Sequence, residues 1–368
     1  MIDFEKRLKS LKDRRQGTRE QNLLEKGHYS WDSNDYRTRE SYEKLSESVG
    51  VRYAIGAMAP VEQNSTNVSI SEGNRVADTL ILGLKASGID ATKRLQGSVA
   101  LDIHIKGHSD VDMLIMLNNI VLVELPKLDG SQCWASDNRP MADIVAELRT
   151  ESERKLTSRY PQVYVDCSNN KSISLEGGSL QRKVDIVPSC WYDSHNYQRS
   201  GQEYDRGVKI YHKSDHALLG NFPFTHIKNV NDKDYLYDGN LKRVIRLLKN
   251  MVADMPDYKK RVAKNLSSYD LAGIAYHMNN ELQIPNYMSL GLVEKTRAHL
   301  SSLANSKIYR ESLDVPDGTR RIFNSVDKTD ALEILEKEID DLTMSIFKEL
   351  KPFTGIYSSD ALTSRVIT

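Results

Sequence analysis

The chain has 368 residues, and its 51 lysine and arginine residues balance 51 aspartate and glutamate residues. A formal net charge of zero argues against a protein that coats long nucleic acid, because such proteins carry a basic excess. The length allows two domains, and no run reaches the roughly 18 apolar residues of a membrane helix. Three scattered cysteines and a charged start without an apolar leader core predict a cytoplasmic protein without disulfides.

The first third of the chain alternates polar and periodic stretches. Residues 1–35 are highly charged, and we interpret them as a solvated helix face or a loosely attached arm. A helix is predicted over 36–49, and residues 62–73, rich in Asn, Ser and Thr, are expected to form a polar loop. A long helix then runs from about Gly73 to a stop at Gly88. Its apolar residues follow helical spacing, namely Val76, Leu80, Ile81 and Leu84.

The apolar stretch from Asp110 to Leu117 predicts a buried strand. Asp110 and Asp112 are two residues apart, so they share one face of it. Two carboxylates on one buried face repel each other and lose hydration. A divalent cation relieves both costs, and hard carboxylate oxygens suit Mg²⁺. The alternative for any single Asp here is a surface strand or turn residue.

Two further motifs complete a candidate site around these carboxylates. Gly97-Ser98 predicts a phosphate-binding turn, because glycine lets backbone amides approach an anion and Ser98 can donate or cap a short helix. A third carboxylate, Asp185, alternates with apolar Val184 and Ile186 in a later predicted strand. The three acidic residues and the turn together predict a triphosphate site beside bound metal.

The remaining elements are predicted from periodicity and turn residues. A segment from Asn118 to Pro140 is read as a mobile flap or an ordinary insertion, followed by a helix to Lys155. Strands at 163–167 and 172–175 precede a Gly177-Gly178 hairpin into the Asp185 strand. Residues 188–240 are expected to be irregular. Helices are predicted over 240–255, 267–278, 287–303 and 328–350.

The Gly-Ser turn, the Asp-x-Asp strand and the third Asp resemble the signature of the polymerase-β nucleotidyltransferase superfamily. The Leu248-Lys249 pair and the helix start Ser267-Ser268-Tyr269 are similar to the helical lobe of the cGAS/DncV-like nucleotidyltransferases, and the Gln-Gly-Ser-Val form of the turn resembles their bacterial SMODS-type members. The implied fold is α+β, with a polymerase-β-like lobe built on a mixed sheet and packed on a helical, oligoadenylate-synthase-like lobe. The implied parts are an arm (1–35), a catalytic lobe (36–190), a helical lobe (191–353) and a flexible tail (354–368).

The resemblance also implies roles for single residues. Asp110, Asp112 and Asp185 hold two Mg²⁺ ions, with Mn²⁺ as an alternative, and Asp185 helps to deprotonate the attacking hydroxyl. The other roles are triphosphate binding by Gln96, Gly97 and Ser98, phosphate contacts from Lys249 and Ser268, and base stacking by Tyr269. The competing readings are a solvated lysine for Lys249, a plain N-cap for Ser268, core packing for Tyr269 and, for Asp317, a turn instead of a base contact.

The implied activity is the joining of NTPs into a cyclic di- or oligonucleotide with release of pyrophosphate. The product would act on a separate effector protein in bacterial anti-phage (CBASS) signalling. No zinc insertion is visible, so no double-stranded DNA activator is expected, and no membrane partner is expected either. Two alternatives stay open: a template-independent enzyme that makes linear oligonucleotides or extends RNA 3′ ends, and a binding protein with a decayed site.

Overall fold

A computed structural model describes residues 2–16, 39–107, 109–128, 137–353 and 355–367. They form two compact units. The sheet unit comprises Glu62–Asp102 and His108–Asn229, and the helical unit comprises Met1–Val61, Ile103–Gly107 and Val230–Thr368. These bounds differ from the predicted lobes, since residues 191–229 belong to the sheet unit and residues 39–61 to the helical unit. Among the described helices, none is both long and apolar enough to cross a membrane.

Seven strands are described, and their bounds are β1 (Ala91–Gln96), β2 (Val111–Val123), β3 (Tyr164–Asp166), β4 (Ile173–Glu176), β5 (Val184–Asp193), β6 (Gly207–His212) and β7 (Ala217–Asn221). The helices are α1 (Phe4–Gln16), α2 (Val49–Met58), α3 (Gln63–Lys85), α4 (Gly97–Ala100), α5 (Met141–Arg159), α6 (His195–Ser200), α7 (Pro223–Leu236), α8 (Asn240–Asp254), α9 (Asp257–Ala263), α10 (Ser268–Tyr276), α11 (Ser289–Asn305), α12 (Lys307–Ser312), α13 (Val326–Leu350) and α14 (Asp360–Thr363). Short 3-10 turns lie at Ser41–Lys44, Glu203–Asp205, Asn280–Leu282 and Asn286–Met288.

The seven strands form one mixed sheet, as predicted. Its main order is β1-β2-β5-β4-β3, and β6 pairs with the later part of β5 and carries β7 at its outer edge. Only the central pair, β2 and β5, is parallel among the described pairs. The sheet therefore has the two acidic strands as adjacent, parallel neighbours at its centre.

Alternation along β2 determines which face of the sheet each of its side chains occupies. Val111, Met113 and Ile115 point into a core that includes apolar residues of α3 and α5. Leu114 and Met116 point to the other face and pack into a second cluster with β5 and β6 residues. Asp112 shares that second face but precedes the cluster, so its carboxylate lies at the open end of the strand.

Two predictions for the sheet unit are wrong. The polar stretch 62–73 is the first half of α3, not a loop, and its hydroxyls are used inside the fold: Ser65 and Ser69 accept hydrogen bonds from Arg182. Residues 188–240 are largely regular and not irregular, because β5 continues through Pro188 and is followed by α6, β6, β7 and α7. This proline lies between the last residue of β5 that pairs with β4 (Ile186) and the first that pairs with β6 (Ser189), where a missing N–H is tolerated.

The helical unit is arranged around α8, which is buried on almost every side. The predicted apolar face is buried, and so are the polar residues Arg246, Lys249 and Asn250. Arg246 and Asn250 donate to the carbonyls of Met58 and Ala57, which end α2 without intrahelical partners. The helix predicted over 36–49 is wrong where it is described, since Ser41–Lys44 is a single 3-10 turn and α2 begins at Val49.

The ends of the chain are more ordered than the sequence suggested. Residues 4–16 form α1, whose Phe4, Leu8 and Leu11 are buried, while 17–38 lie outside the described residues. The predicted frayed tail contains α14, with a buried Leu362 and a hydrogen bond from the Ile367 amide to the Tyr287 carbonyl. The predicted flap or insertion at 118–140 begins as a continuation of β2 to Val123, and residues 129–136 are not described.

Candidate active site

A row of polar residues crosses the sheet at the open end of the acidic strands. Asp112 on β2 is paired with Gln96 on β1 and with Asp185 on β5. The row continues beyond Asp185 to Ser174 on β4 and Asp166 on β3. Residues paired in register lie on the same face of a sheet, so this row presents one line of carboxylates and hydrogen-bonding groups.

The Gly97-Ser98 turn lies directly against this row. Gly97 has a φ of +78°, and a Cβ atom added there would lie 2.3 Å from Asp112 Oδ2. Only glycine allows both this backbone conformation and this approach. The predicted short helix is present as the four-residue α4, but it begins at Gly97, so Ser98 is half-buried within it and does not cap it. Gln96 accepts a hydrogen bond from Asn221 at 3.4 Å.

The three carboxylates influence one another electrostatically. Burial, followed by the charges of Asp185 and Asp110, raises the pKa of Asp112 from 3.8 to about 7. The pKa of Asp185 is also raised, first by burial, although the Ser174 side chain and the Lys183 ammonium oppose this effect. Both shifts mean that the ionised forms of these two carboxylates are unfavourable in their surroundings, first because of burial and then because of the neighbouring acids.

The cluster fits a hard divalent cation. Asp185 Oδ1 is buried and has no hydrogen-bond partner among the described residues. The Lys183 ammonium lies 3.9 Å from it and 3.2 Å from Asp110 Oδ2. In the described ranges, no three acidic, His or Cys side chains already converge at metal-binding distances. The orphaned oxygen, the mutual repulsion and the all-oxygen chemistry nevertheless match what Mg²⁺ binds.

The residues predicted on the helical unit have distinct surroundings. Lys249 is buried and donates to the Ile103 carbonyl at 2.8 Å, so the solvated-lysine reading is wrong. Burial, then Arg246 and Lys106, lower its pKa to about 8. Ser268 is exposed in the first turn of α10, and the N-cap is Ser267, whose side chain accepts from the Asp270 amide.

Tyr269 is half-buried, and its hydroxyl donates to Asp317 Oδ2 at 2.5 Å. Burial and Asp317 together raise the pKa of this phenol far above its ordinary value. The turn reading of Asp317 is confirmed, because its other oxygen accepts from the Thr319 amide and hydroxyl beside Gly318 at positive φ.

Sequence reasoning missed two residues of this site. Lys183 was visible as the residue two before Asp185 in an alternating strand, which is sufficient to put both on one face. Ser174 gave no local signal, because its position opposite Asp185 depends on the register of β4 against β5. Register between strands is a long-range property, so a single sequence does not display it.

Comparisons with known proteins find similar chains. Residues 228–343 match the family model described as the cGAS/DncV-like nucleotidyltransferase C-terminal helical domain. A protein of Yersinia aleksiciae named cyclic dinucleotide synthase CdnE is 35% identical over 372 residues, covering 97% of this chain and 96% of that one.

Solved structures extend the likeness to the fold. A STING-associated CdnE c-di-GMP synthase from Capnocytophaga granulosa is 27% identical, with a TM-score of 0.71, and the match covers 94% of this chain and 99% of that one. A second such synthase, from Flavobacteriaceae sp., has the same fold, with a TM-score of 0.76 at 22% identity over 94% of this chain and 99% of that one.

Proposed function

The chain belongs to the cGAS/DncV-like nucleotidyltransferases and is a cyclic oligonucleotide synthase, and from this premise we propose how its own residues carry the reaction. The proposed product is a cyclic dinucleotide, formed from two nucleoside triphosphates with release of two pyrophosphates. The relative that is 35% identical and covers nearly the whole chain is named a cyclic dinucleotide synthase. A guanine product is the first candidate, because the Capnocytophaga granulosa relative is named a c-di-GMP synthase.

The observation that carries the assignment of the site is the pairing of Asp112 with Asp185, with Gly97 against Asp112. We assign Asp110, Asp112 and Asp185 to two Mg²⁺ ions, or to Mn²⁺ in their place. When bound, such ions neutralise the attacking oxygen and the leaving pyrophosphate. The orphaned Oδ1 of Asp185 supports this assignment.

The chain's own groups then position the reacting atoms. The backbone at Gly97 and the Ser98 hydroxyl hold the donor triphosphate, and Gln96 orients it from the end of β1. Asp185 accepts the proton of the attacking ribose hydroxyl, a role for which its raised pKa is suited. Most of the rate enhancement comes from orientation and charge neutralisation, since no covalent intermediate is needed.

The helical unit contributes binding groups in this proposal. Lys249 and Ser268 bind phosphate oxygens, and Tyr269 stacks on a base. Lys249 suits this role because it is a buried ammonium whose hydrogen-bond acceptor is a neutral carbonyl, so an anion improves its surroundings. Tyr269 suits stacking because Asp317 fixes its ring through the hydroxyl. Stacking tolerates every base and therefore adds affinity without selecting a base.

The cellular role follows from the product. A small cyclic nucleotide acts by binding a separate protein, so we propose an effector within bacterial anti-phage (CBASS) signalling. The naming of similar synthases as STING-associated supports this kind of effector. Because NTPs are cytoplasmic metabolites, we propose that location. Double-stranded DNA is not proposed as an activator.

The test is incubation of the full chain with four labelled NTPs and Mg²⁺, followed by phosphatase treatment and mass spectrometry. We expect a phosphatase-resistant cyclic product, lost in Asp112→Asn and Asp185→Asn and retained in Asp78→Asn. Asp78 is a suitable control because it forms an exposed ion pair with Lys93 on the same unit. A product that is only linear and phosphatase-sensitive, or extension of an added RNA primer, would instead support the template-independent polymerase.

A further inference from the structure

Four charged side chains form a compact patch on one face of the sheet. The parallel register pairs Val111 with Val184 and Asp112 with Asp185. The residue before each strand extends this pairing, since the Val111 amide donates to the Lys183 carbonyl at 3.1 Å. Lys183 thus lies beside Asp110, and both share a face with the Asp112–Asp185 pair because alternate strand residues point the same way.

The lysine contacts the acids through its charged end. Lys183 Nζ lies 3.2 Å from Asp110 Oδ2 and 3.9 Å from Asp185 Oδ1, and its charge also acts on Asp112. One ammonium faces three carboxylates, so the patch keeps an excess of negative charge. The lysine occupies the place where a cation of higher charge would be most stable.

We propose that Lys183 is a built-in counter-cation of the carboxylate cluster, which a divalent metal ion must displace, and that it thereby sets the metal affinity of the site. The inference rests on the proposed function, because it takes the three carboxylates as metal ligands. A compact ammonium on a flexible four-carbon stem can leave such a position readily. About a third of the Lys183 side chain is exposed, so it has solvent to move into.

The lysine has two opposing effects on the protein. Before metal binds, its charge reduces repulsion among the three acids and stabilises the fold. During metal binding, its contacts with Asp110 and Asp185 must be given up, which weakens the apparent affinity. Removal of the charge should therefore destabilise the metal-free protein and tighten metal binding, whereas a merely structural lysine would lower both.

The test measures binding of Mn²⁺ alone, without nucleotide, to the full chain by electron paramagnetic resonance titration, together with the melting temperature in EDTA and in Mn²⁺. We expect Lys183→Gln to bind Mn²⁺ about 3- to 10-fold more tightly than the natural chain, because one positive charge next to the ion is gone. Lys183→Gln should have a lower melting temperature than the natural chain in EDTA, and Mn²⁺ should raise its melting temperature by a larger amount. Lys85→Gln removes an exposed lysine at the end of α3 and serves as the control.

Lys183→Arg provides a second variant that keeps the charge. We expect its Mn²⁺ affinity to equal that of the natural chain or to fall below it, since guanidinium binds carboxylates in a fork. Equal or weaker Mn²⁺ binding by Lys183→Gln would overturn the proposal. Failure of every chain, including the natural one, to bind Mn²⁺ at the site would instead reject the metal-binding role of the carboxylates.

Discussion

Asp112 and Asp185 stand directly opposite each other on the two parallel strands at the centre of the sheet. Apolar residues follow directly on both strands, and within the register of β2 against β5 only this pair brings two carboxylates side by side. The repulsion between them is part of what raises the pKa of Asp112. The fold thus maintains an electrostatically unfavourable pair that a cation and a triphosphate site would use.

The close approach of Gly97 to Asp112 gives a first prediction. Gly97→Ala should lower the rate of product formation by about 100-fold or more, because a Cβ atom would lie 2.3 Å from Asp112 Oδ2 and displace it. Gly88→Ala is the matched control, since Gly88 also has positive φ but open space around it. Both variants should lose about 1–2 kcal/mol in the free energy of unfolding from backbone strain. Equal activities of the two variants would contradict the role of the turn.

The raised pKa of Asp112 predicts how stability depends on pH in the absence of metal. The folded chain holds a proton on Asp112 up to a pH of about 7, whereas the ordinary value is 3.8. The folded state therefore binds more protons between these values, and its stability falls as the pH rises from about 4 to 7. Asp112→Asn cannot ionise, so it should become more stable than the natural chain by on the order of 4 kcal/mol above pH 7.

Urea unfolding in EDTA at pH 4.5, 6 and 8 measures this difference in the free energy of unfolding. The gain should be smallest at pH 4.5 and largest at pH 8. Asp78→Asn, at an exposed ion pair, should show no such trend. A gain that stays constant across the three pH values would mean that Asp112 does not titrate in this range.

Buried Lys249 predicts an opposition between stability and activity. Lys249→Met removes an ammonium group whose pKa is lowered by burial to about 8. The free-energy cost of keeping this group charged is therefore present in full below pH 8, and it disappears as the pH rises to about 10.5. The variant should have a free energy of unfolding about 1–2 kcal/mol higher at pH 7. This figure is the net gain after the lost hydrogen bond to the Ile103 carbonyl has been subtracted. Its Kd for NTP should rise.

Lys242→Met is the comparison for Lys249, because it lies on the same helix but near a carboxylate, Asp234. It should leave NTP binding unchanged. Isothermal titration with a non-hydrolysable NTP analogue and urea unfolding give the two readouts. Unaltered NTP affinity in Lys249→Met would remove this lysine from the proposed site.

Tyr269 is predicted to act through its ring. Tyr269→Phe keeps the stacking surface and loses only the hydrogen bond to Asp317, so the KM for NTP should change less than about threefold. Tyr269→Ala should raise the KM roughly 5- to 150-fold, which corresponds to about 1–3 kcal/mol of stacking. Steady-state kinetics separate these effects from kcat. If both variants melt lower and neither changes the KM, the tyrosine is purely structural.

The acidic centre was predictable because its signals are local. Asp110 and Asp112 precede an uninterrupted apolar run, and Asp185 alternates with apolar neighbours, so strand and face follow from periodicity alone. The short helix at Gly97 follows from the Gly-Ser pair. Each of these features can be predicted from adjacent residues alone. The mixed sheet and the helical lobe were predicted from the family resemblance.

The errors arose where distant residues decide the structure. The polar half of α3 uses its hydroxyls on a distant partner, since Arg182, more than a hundred positions away, donates to Ser65 and Ser69. Pro188 fits inside β5 because two different strands pair on either side of it. The buried Lys249 follows an amphipathic pattern that predicts only one apolar face, and contacts with other segments cover the polar face as well.

The first helix has a practical implication for anyone who trims this protein. Asp254 has a side chain with no exposure, and it is neutralised by Arg14 at 2.7 Å and also bound by Ser10 and Tyr53. A clone that starts after residue 16 would keep the buried acid and discard its positive partner, which costs several kcal/mol in comparable pairs. Fusion tags are therefore better appended in front of the intact N-terminus than substituted for it.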